Sequence, residues 1–450
     1  MLKKFFSYGL VEGIAKGLNK LTLLLLPLFI DTISYGKIGL LVSIETLLPL
    51  VTLLGLDRAV LRYYAEKHNF ISFKKSIYTP IIIAHCIIFI ILVLIALLGV
   101  KDIFGIDVFP DLLLIVILVF YQGKNLIILN MLRVEENHAK YYQGRLFVQI
   151  SKFILVVGIV FFTKNYLGYI IGSIISALIA NYIFNTKNEN EIKDKFSRET
   201  FSHLFIFSWP FIFHGIASNF LGNADKFVIE RYLSMQEVGL YTLIYSLGTS
   251  ISFAYVGISI FMEPMIYKEK ESIKREILLN KFVIATLAIG VGVYFLIGLI
   301  SQFVLPHFYK GDYLVVLKYI PVVASAYLVF PFYLKANYRL IYQKKSMIIA
   351  TISIVTSLLN IILNVILIPI YGIYAGILTT VVSFVIQATS FLLFSNKFKI
   401  GKEFVDIILL SILLISNLFF NLEYYYAVLP LIIFLAYLYI SEVKILKTDI

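Results

Sequence analysis

The sequence predicts an all-α, polytopic membrane protein of about fourteen transmembrane helices: two six-helix lobes in parallel repeat around a central cavity, plus two C-terminal helices. Three observations predict it: a composition too apolar for a soluble fold, apolar runs as long as a bilayer crossing, and a self-similarity at an offset of about 200 residues. Of 450 residues, 60% are hydrophobic and 15% charged, and a water-soluble domain has too little interior to hide that much apolar surface. The bilayer is therefore the solvent.

Taking about 20 apolar residues per crossing, the segments fall near 8–30, 38–60, 77–100, 111–132, 146–163, 168–185 and 204–223, then 238–261, 282–300, 315–334, 347–368, 374–394, 405–421 and 425–441. The start is basic, but Glu12, Lys16, Asn19 and Lys20 follow with no small-residue cleavage pattern, so the first segment is expected to be a membrane helix rather than a signal peptide. With the N-terminus cytoplasmic, the outer loops hold Lys37, Lys101, Lys164, Lys226, Arg231 and Lys310, six more bases lie in the segments, and the remaining 27 of 39 fall in inner loops and tails. That asymmetry sets both termini in the cytoplasm. The outer loops are short, the longest expected from about Ala224 to Glu237, which leaves no room for an external catalytic domain.

The net charge of +12 does not point to nucleic acid, because the bases are dispersed between apolar runs as in loops beside anionic lipid. The single Cys86 lies inside an apolar run and offers neither a disulfide framework nor a cysteine metal site.

The repeat is carried by Gly13-Ile14-Ala15, which recurs as Gly215-Ile216-Ala217, and by Ile38-Gly39-Leu40, which recurs as Val238-Gly239-Leu240. Six helices separate the copies, so both have the same orientation. The expected organisation is a lobe over 1–195, a second over 196–400, and two extra helices over 401–450, with 186–203 as the linker.

Charged residues inside the segments are the candidate functional groups, since a Lys or Arg facing lipid at mid-helix costs about 2.5–3.5 kcal/mol. Lys16, Lys20, Arg58, Lys124, Lys152 and Lys318 are the embedded bases; Arg58, Lys152 and Lys318 lie near segment ends and could instead snorkel. On the first helix Glu12, Lys16, Asn19 and Lys20 fall within a sector of about 100°, a polar stripe that sees something other than lipid. A Glu12–Lys16 pair would account for part of it. The repeat aligns this stripe with His214, Ser218 and Asp225 on the seventh helix, so two polar faces are available to a central cavity. Lys124, flanked by Gln122 and Asn125 at mid-helix, is expected to face that cavity. Glu45 reads as an isolated carboxylate about 10 Å into the second helix, a candidate for proton or sodium coupling, or else a hydrogen-bonding partner of a neighbouring helix. Asp57 and Arg58, with Arg62 one turn on, form an ion cluster at its cytoplasmic end, and Asp57 is a second coupling candidate. Bases outnumber the embedded acids Glu12, Glu45 and Asp57, so the interior favours an anion such as a diphosphate head group over a cationic drug. No phosphate loop, zinc-histidine pair or nucleophile elbow is present, so no cofactor is expected beyond the H⁺ or Na⁺ for which Glu45 is a candidate, and an ATP-driven mechanism would need another chain.

Several stretches resemble the polysaccharide flippase family of the multidrug, oligosaccharidyl-lipid and polysaccharide exporter superfamily. They are Tyr35-Gly36-Lys37-Ile38-Gly39-Leu40, Leu54-Gly55-Leu56-Asp57-Arg58-Ala59 with Arg62, Trp209-Pro210 through Asn223-Ala224-Asp225-Lys226 to Val238-Gly239-Leu240-Tyr241, and Leu359-Asn360-Ile361-Ile362-Leu363-Asn364 with Ile368-Pro369 and Tyr371-Gly372. The resemblance spans the first twelve helices through their order and spacing. It implies two lobes around a cavity that alternates between cytoplasmic and outer access. It implies a polyprenyl-diphosphate-linked oligosaccharide repeat unit as substrate, moved across a bacterial cytoplasmic membrane for cell-surface polysaccharide of O-antigen, exopolysaccharide or teichuronic-acid type. The polymerase and glycosyltransferases of such a pathway would be its partners, membrane lipid its surroundings, and a monomer would suffice. A peptidoglycan lipid-precursor flippase is the nearest alternative, and an ion-coupled multidrug exporter of the same fold is disfavoured by Lys16 and Lys20. A membrane polymerase or ligase would need a large outer loop, which the short loops argue against.

Overall fold

The chain is described here from a computed structural model covering residues 2–69, 72–184, 195–396, 401–419 and 424–448. Its helices run α1 (Leu2–Leu25), α2 (Thr32–Thr52), α3 (Leu56–Tyr63), α4 (Phe73–Leu97), α5 (Leu113–Val134), α6 (His138–Thr163), α7 (Leu167–Phe184), α8 (Arg198–Tyr232) and α9 (Met235–Gly248). They continue as α10 (Ile251–Lys268), α11 (Ser272–Leu299), α12 (Asp312–Val316), α13 (Ile320–Ala326), α14 (Phe330–Tyr342), α15 (Ser346–Tyr371), α16 (Ile373–Ser395), α17 (Lys402–Phe419) and α18 (Tyr424–Thr448). Among the described residues the only sheet is a two-stranded hairpin, β1 (Asp102–Ile103) against β2 (Ile106–Asp107). The fold is all-α and polytopic, as the hydropathy requires: unpaired backbone groups are too costly in hydrocarbon for anything but helices or a closed barrel.

Each expected segment overlaps a long helix or several in series. The tenth is assembled from α12, α13 and α14, interrupted where Pro321 and Pro331 open new helical turns. Among the described residues, eleven spans are long and apolar enough to cross a membrane by length and composition. The other three expected segments correspond to α1, α17 and α18; α1 carries its polar stripe, and α17 begins Lys402-Glu403 and includes Asp406.

Two expectations are corrected. The outer loop placed from about Ala224 to Glu237 is mostly helix, because α8 continues to Tyr232 and α9 starts at Met235. The polarity of Asn223-Ala224-Asp225-Lys226 suggested a loop, yet Asp225 and Lys226 are both buried. The second helix also does not run unbroken to residue 60. Leu54 and Gly55 take left-handed φ values of 54° and 67°, and the chain restarts as α3, which carries Asp57, Arg58 and Arg62. Glycine is required at 55, since a Cβ there would lie 2.6 Å from the Ser208 carbonyl oxygen.

Packing divides the chain into two compact units, Leu21–Gly239 and Met1–Lys20 with Leu240–Ile450. These are units of contact density, whereas the boundaries at 195 and 400 concern duplication and stand as a proposal about ancestry. In the Leu21–Gly239 unit, Leu53, Leu56, Val60, Phe73, Ile77 and Leu204 form a core that clamps α3 between α4, α5 and α8. Gly168 and Gly172 sit one turn apart on α7, and a Cβ at Gly172 would lie 2.8 Å from the Val156 backbone of α6. Small residues let two helices approach closely where lipid supplies no hydrophobic drive between them. At Gly36 and Gly239 the approach is closer still, for a Cβ on either would overlap a backbone carbonyl of the other helix, Met235 or Thr32.

In the other unit α15 and α16 are joined by amides and hydroxyls. Asn360 Nδ2 donates to Ser383 Oγ at 3.1 Å, Asn364 Nδ2 donates to Asn360 Oδ1 at 3.0 Å, and Thr379 Oγ1 donates to Asn364 Oδ1. The asparagine pair of the Leu359–Asn364 stretch is thus explained by helix pairing.

Candidate functional site

Within the Leu21–Gly239 unit, four helices converge on one carboxylate. Glu45 on α2 and Lys152 on α6 are both buried, and Lys152 Nζ lies 2.7 Å from Glu45 Oε1. Gln122 Nε2 from α5 donates to the same oxygen at 2.6 Å. Tyr169 on α7 donates its hydroxyl to Glu45 Oε2 and accepts from Lys152 Nζ at 3.2 Å. Glu45 is therefore not isolated, which corrects the basis on which it was singled out. A helix read alone shows neighbours three and four residues away, whereas these partners lie 77, 107 and 124 positions along the chain. Lys152 does not snorkel; it neutralises Glu45. Such a pair returns its desolvation cost only when the remaining lone pairs and protons are also satisfied, and Gln122 and Tyr169 do that.

The same stretch of α5 aims its other polar groups differently. Asn125 Nδ2 donates to the Ala177 carbonyl at 2.9 Å and its Oδ1 accepts from Asn181 at 3.3 Å, tying α5 to α7. Lys124, between these internal contacts, is half-buried, with Nζ 5.5 Å and 5.8 Å from the Phe120 and Tyr121 ring centres. Among the described residues it has no carboxylate partner.

Sequence reasoning missed Lys226 by placing it in a loop. It is buried on α8, and its Nζ donates to Ser43 Oγ and to Asn223 Oδ1, both at 3.4 Å and both neutral. Its neighbour Asp225 is also buried, and the Asp225 carboxylate accepts from the Lys226 backbone N–H at 2.9 Å. Ser218 on the same helix is exposed, and the side chain of His214 lies outside the described residues.

Asp57 and Arg58 sit on α3, beyond the spanning helix Thr32–Thr52. Arg58 Nε is 3.6 Å from Asp57 Oδ2 and its side chain is 60% exposed, so this pair contributes little. Burial pushes the Asp57 carboxyl above the ordinary carboxylate range, with the Arg58 charge working against it. Arg62 pairs with Glu66 at 3.0 Å.

In the other unit, Glu12, Lys16, Asn19 and Lys20 are half-buried on α1, and Lys20 Nζ donates to Thr249 Oγ1 at 2.8 Å. Lys318 is exposed beside Tyr319. Two cations not singled out from sequence lie deeper. Lys335 Nζ is 2.5 Å from Glu403, and Arg339 is held by Glu403 at 2.6 Å and by Glu276. Their four-residue spacing at the end of a predicted segment was the available signal.

A model of the polysaccharide biosynthesis protein family matches residues 1–268. No curated protein matches the chain. Among solved structures, the lipid II flippase MurJ in an inward closed conformation shares the fold at TM-score 0.69 and 19% identity, over 99% of each chain. An inward-facing multidrug resistance transporter of the MATE family, in the MOP superfamily, follows at 0.64 and 13%, over 86% of this chain and 94% of that one. A MOP superfamily transporter from Pyrococcus furiosus reaches 0.52 at 13%, over 88% and 96%. At these identities the likeness is one of fold.

Proposed function

The chain belongs to the polysaccharide biosynthesis protein family, and on that premise we propose that it is a flippase for a polyprenyl-diphosphate-linked oligosaccharide repeat unit, moving it across the bacterial cytoplasmic membrane by alternating access. The observation that carries this reading is Lys124, a half-buried cation at mid-helix with aromatic neighbours and no carboxylate partner among the described residues. Lys152 neutralises Glu45, Lys124 has no carboxylate partner among the described residues, and Lys226 is a buried cation bonded to neutral groups and adjacent to the buried Asp225 carboxylate. A cationic site in a low-dielectric surrounding favours a diphosphate and repels a cationic drug. Lys16 and Lys20, half-buried on α1, are proposed as anion-binding cations of their own unit. Arg58 and Lys318, being exposed, are better placed to meet lipid phosphates at the membrane surface. Coupling to H⁺ or Na⁺ would act by loosening the Glu45–Lys152 pair.

Translocation of a polyprenyl-diphosphate oligosaccharide in proteoliposomes tests the proposal, with lipid-linked peptidoglycan precursor and cationic dyes in parallel. Loss of oligosaccharide movement in Lys124→Ala supports it. Movement of the peptidoglycan precursor alone would favour the second reading, which the fold shared with a lipid II flippase supports. Transport of the dyes alone would overturn both.

A further inference from the structure

A cavity of about 290 Å³ opens between α11, α14, α17 and α18, all within the unit that includes Leu240–Ile450. Its charged lining is Lys335, Arg339, Lys402, Glu403 and Asp406, beside Asn280. Most of that charge is already matched. Arg339 donates to Glu276 Oε1 at 2.9 Å and to Glu403 Oε2 at 2.6 Å, with a further bond to Asn396 Oδ1 at 3.0 Å. Lys335 meets Glu403 and Asn280. Asp406 is 4% exposed and lines the cavity; its carboxylate accepts from the Tyr437 hydroxyl and feels the Lys402 charge, but its Oδ1 has no hydrogen-bond partner among the described residues. A carboxylate only accepts, so a buried orphan oxygen calls for a donor from whatever fills the space.

The space does not end at these polar groups. A second cavity of about 490 Å³, lined only by apolar residues and glycine, lies along the same two helices. On α11 the lining passes from Asn280 and Ile284 to Ala288, Val291 and Phe295, and on α18 from Leu438 to Leu435, Ile432 and Val428. Steps of three and four keep each series on one helix face, so polar cavity and apolar groove are consecutive stretches of one α11–α18 furrow. From Ile284 to Phe295 the rise is roughly 16 Å, close to half the hydrocarbon thickness of a bilayer.

We propose that this furrow binds one phospholipid with a primary-ammonium head group: the ammonium on Asp406 Oδ1, the phosphate beside Lys402 one turn earlier on α17, and an acyl chain along the groove. A polyprenyl phosphate fits worse because it brings an anion and no donor to Asp406. A choline head group has no N–H to give. The site is independent of which lipid-linked sugar the chain carries.

Native mass spectrometry of the purified full chain, at one fixed lipid-to-protein ratio, tests this with phosphatidylethanolamine, phosphatidylcholine, phosphatidylglycerol and undecaprenyl phosphate. The expected result is retention of phosphatidylethanolamine alone, falling roughly ten-fold in Asp406→Asn, the scale of losing one charged hydrogen bond. Leu438→Trp, which fills the cavity from α18 without altering a charge, gives the same loss and covers the case in which Asp406→Asn fails to fold. Undiminished retention in either folded variant overturns the proposal, as does equal or preferred binding of any of the other three lipids.

Discussion

Lys152 Nζ lies 2.7 Å from Glu45 Oε1 across 107 residues of chain, in a setting where both side chains are about nine-tenths buried. The pair carries a specific energetic signature. Removing one member leaves a bare charge among apolar groups, at about 3–5 kcal/mol, whereas replacing both with apolar or neutral residues of similar size is close to neutral. Glu45→Gln is therefore expected to lower the melting temperature sharply, and Glu45→Gln with Lys152→Met to recover most of it. Thermal unfolding of the three purified proteins checks the sign. A single substitution that leaves the midpoint in place would mean the pair is hydrated, and a double variant that still transports with ion dependence would remove Glu45 from any coupling role.

The crossing at Gly36 and Gly239 predicts a backbone clash rather than a side-chain adjustment. A Cβ on either residue meets a carbonyl oxygen of the opposite helix, and backbone cannot move aside as a flexible side chain does. Gly36→Ala and Gly239→Ala should each cost at least the 1–3 kcal/mol of ordinary overpacking. Gly13→Ala, where an added Cβ meets nothing within 4 Å, should be neutral or slightly stabilising in its helix. Fluorescence-detected gel filtration after a heat step separates the three, and equal survival of all of them would show that the helices have room to part.

These two cases mark what the sequence could and could not disclose. Spans are legible because hydropathy is local: every expected segment has its helix, and α8 was misread only past Asn223, where buried Asp225 and Lys226 imitate a loop. The repeated Val238-Gly239-Leu240 pointed to the right glycine, but its contact with Gly36 is a tertiary fact. Glu45 and Lys152 were both recognised as embedded charges, yet nothing in either helix says that they face each other. Lys335 and Arg339 were passed over because they fall just beyond the apolar window that defined the tenth segment, although they are more buried than Arg58 or Lys318.

Asn364 supplies a third test. It donates to Asn360 and accepts from Thr379, so its loss leaves the buried Asn360 side-chain oxygen on α15 without that donor, while the Thr379 hydroxyl on α16 keeps only its bond to the Gly376 carbonyl. Asn364→Leu should destabilise by about 1–3 kcal/mol. The double variant Asn364→Leu with Thr379→Val removes both sides of one bond and should cost less than the sum of the two singles. Additive losses in thermal unfolding would show that the hydroxyl and the amide act separately.

Lys124 gives the sharpest separation of function from folding. It is half-buried and bonded to no carboxylate among the described residues, so Lys124→Ala removes a charge that no internal partner needs. Stability should change by less than about 1 kcal/mol, the range for a residue outside the main destabilising mechanisms. Transport of a diphosphate lipid should fall roughly 10–100-fold, since a hydrogen bond to a charged group is worth about 1.5–3 kcal/mol. Lys124→Arg keeps the charge and offers a planar fork to phosphate oxygens, so it should retain most of the activity. Initial translocation rates measured beside the melting temperature decide the matter. Activity and stability falling together in Lys124→Ala would make Lys124 a packing residue, and a rate unchanged in a folded Lys124→Ala would move the anion site elsewhere, with Lys226 the next cation to substitute.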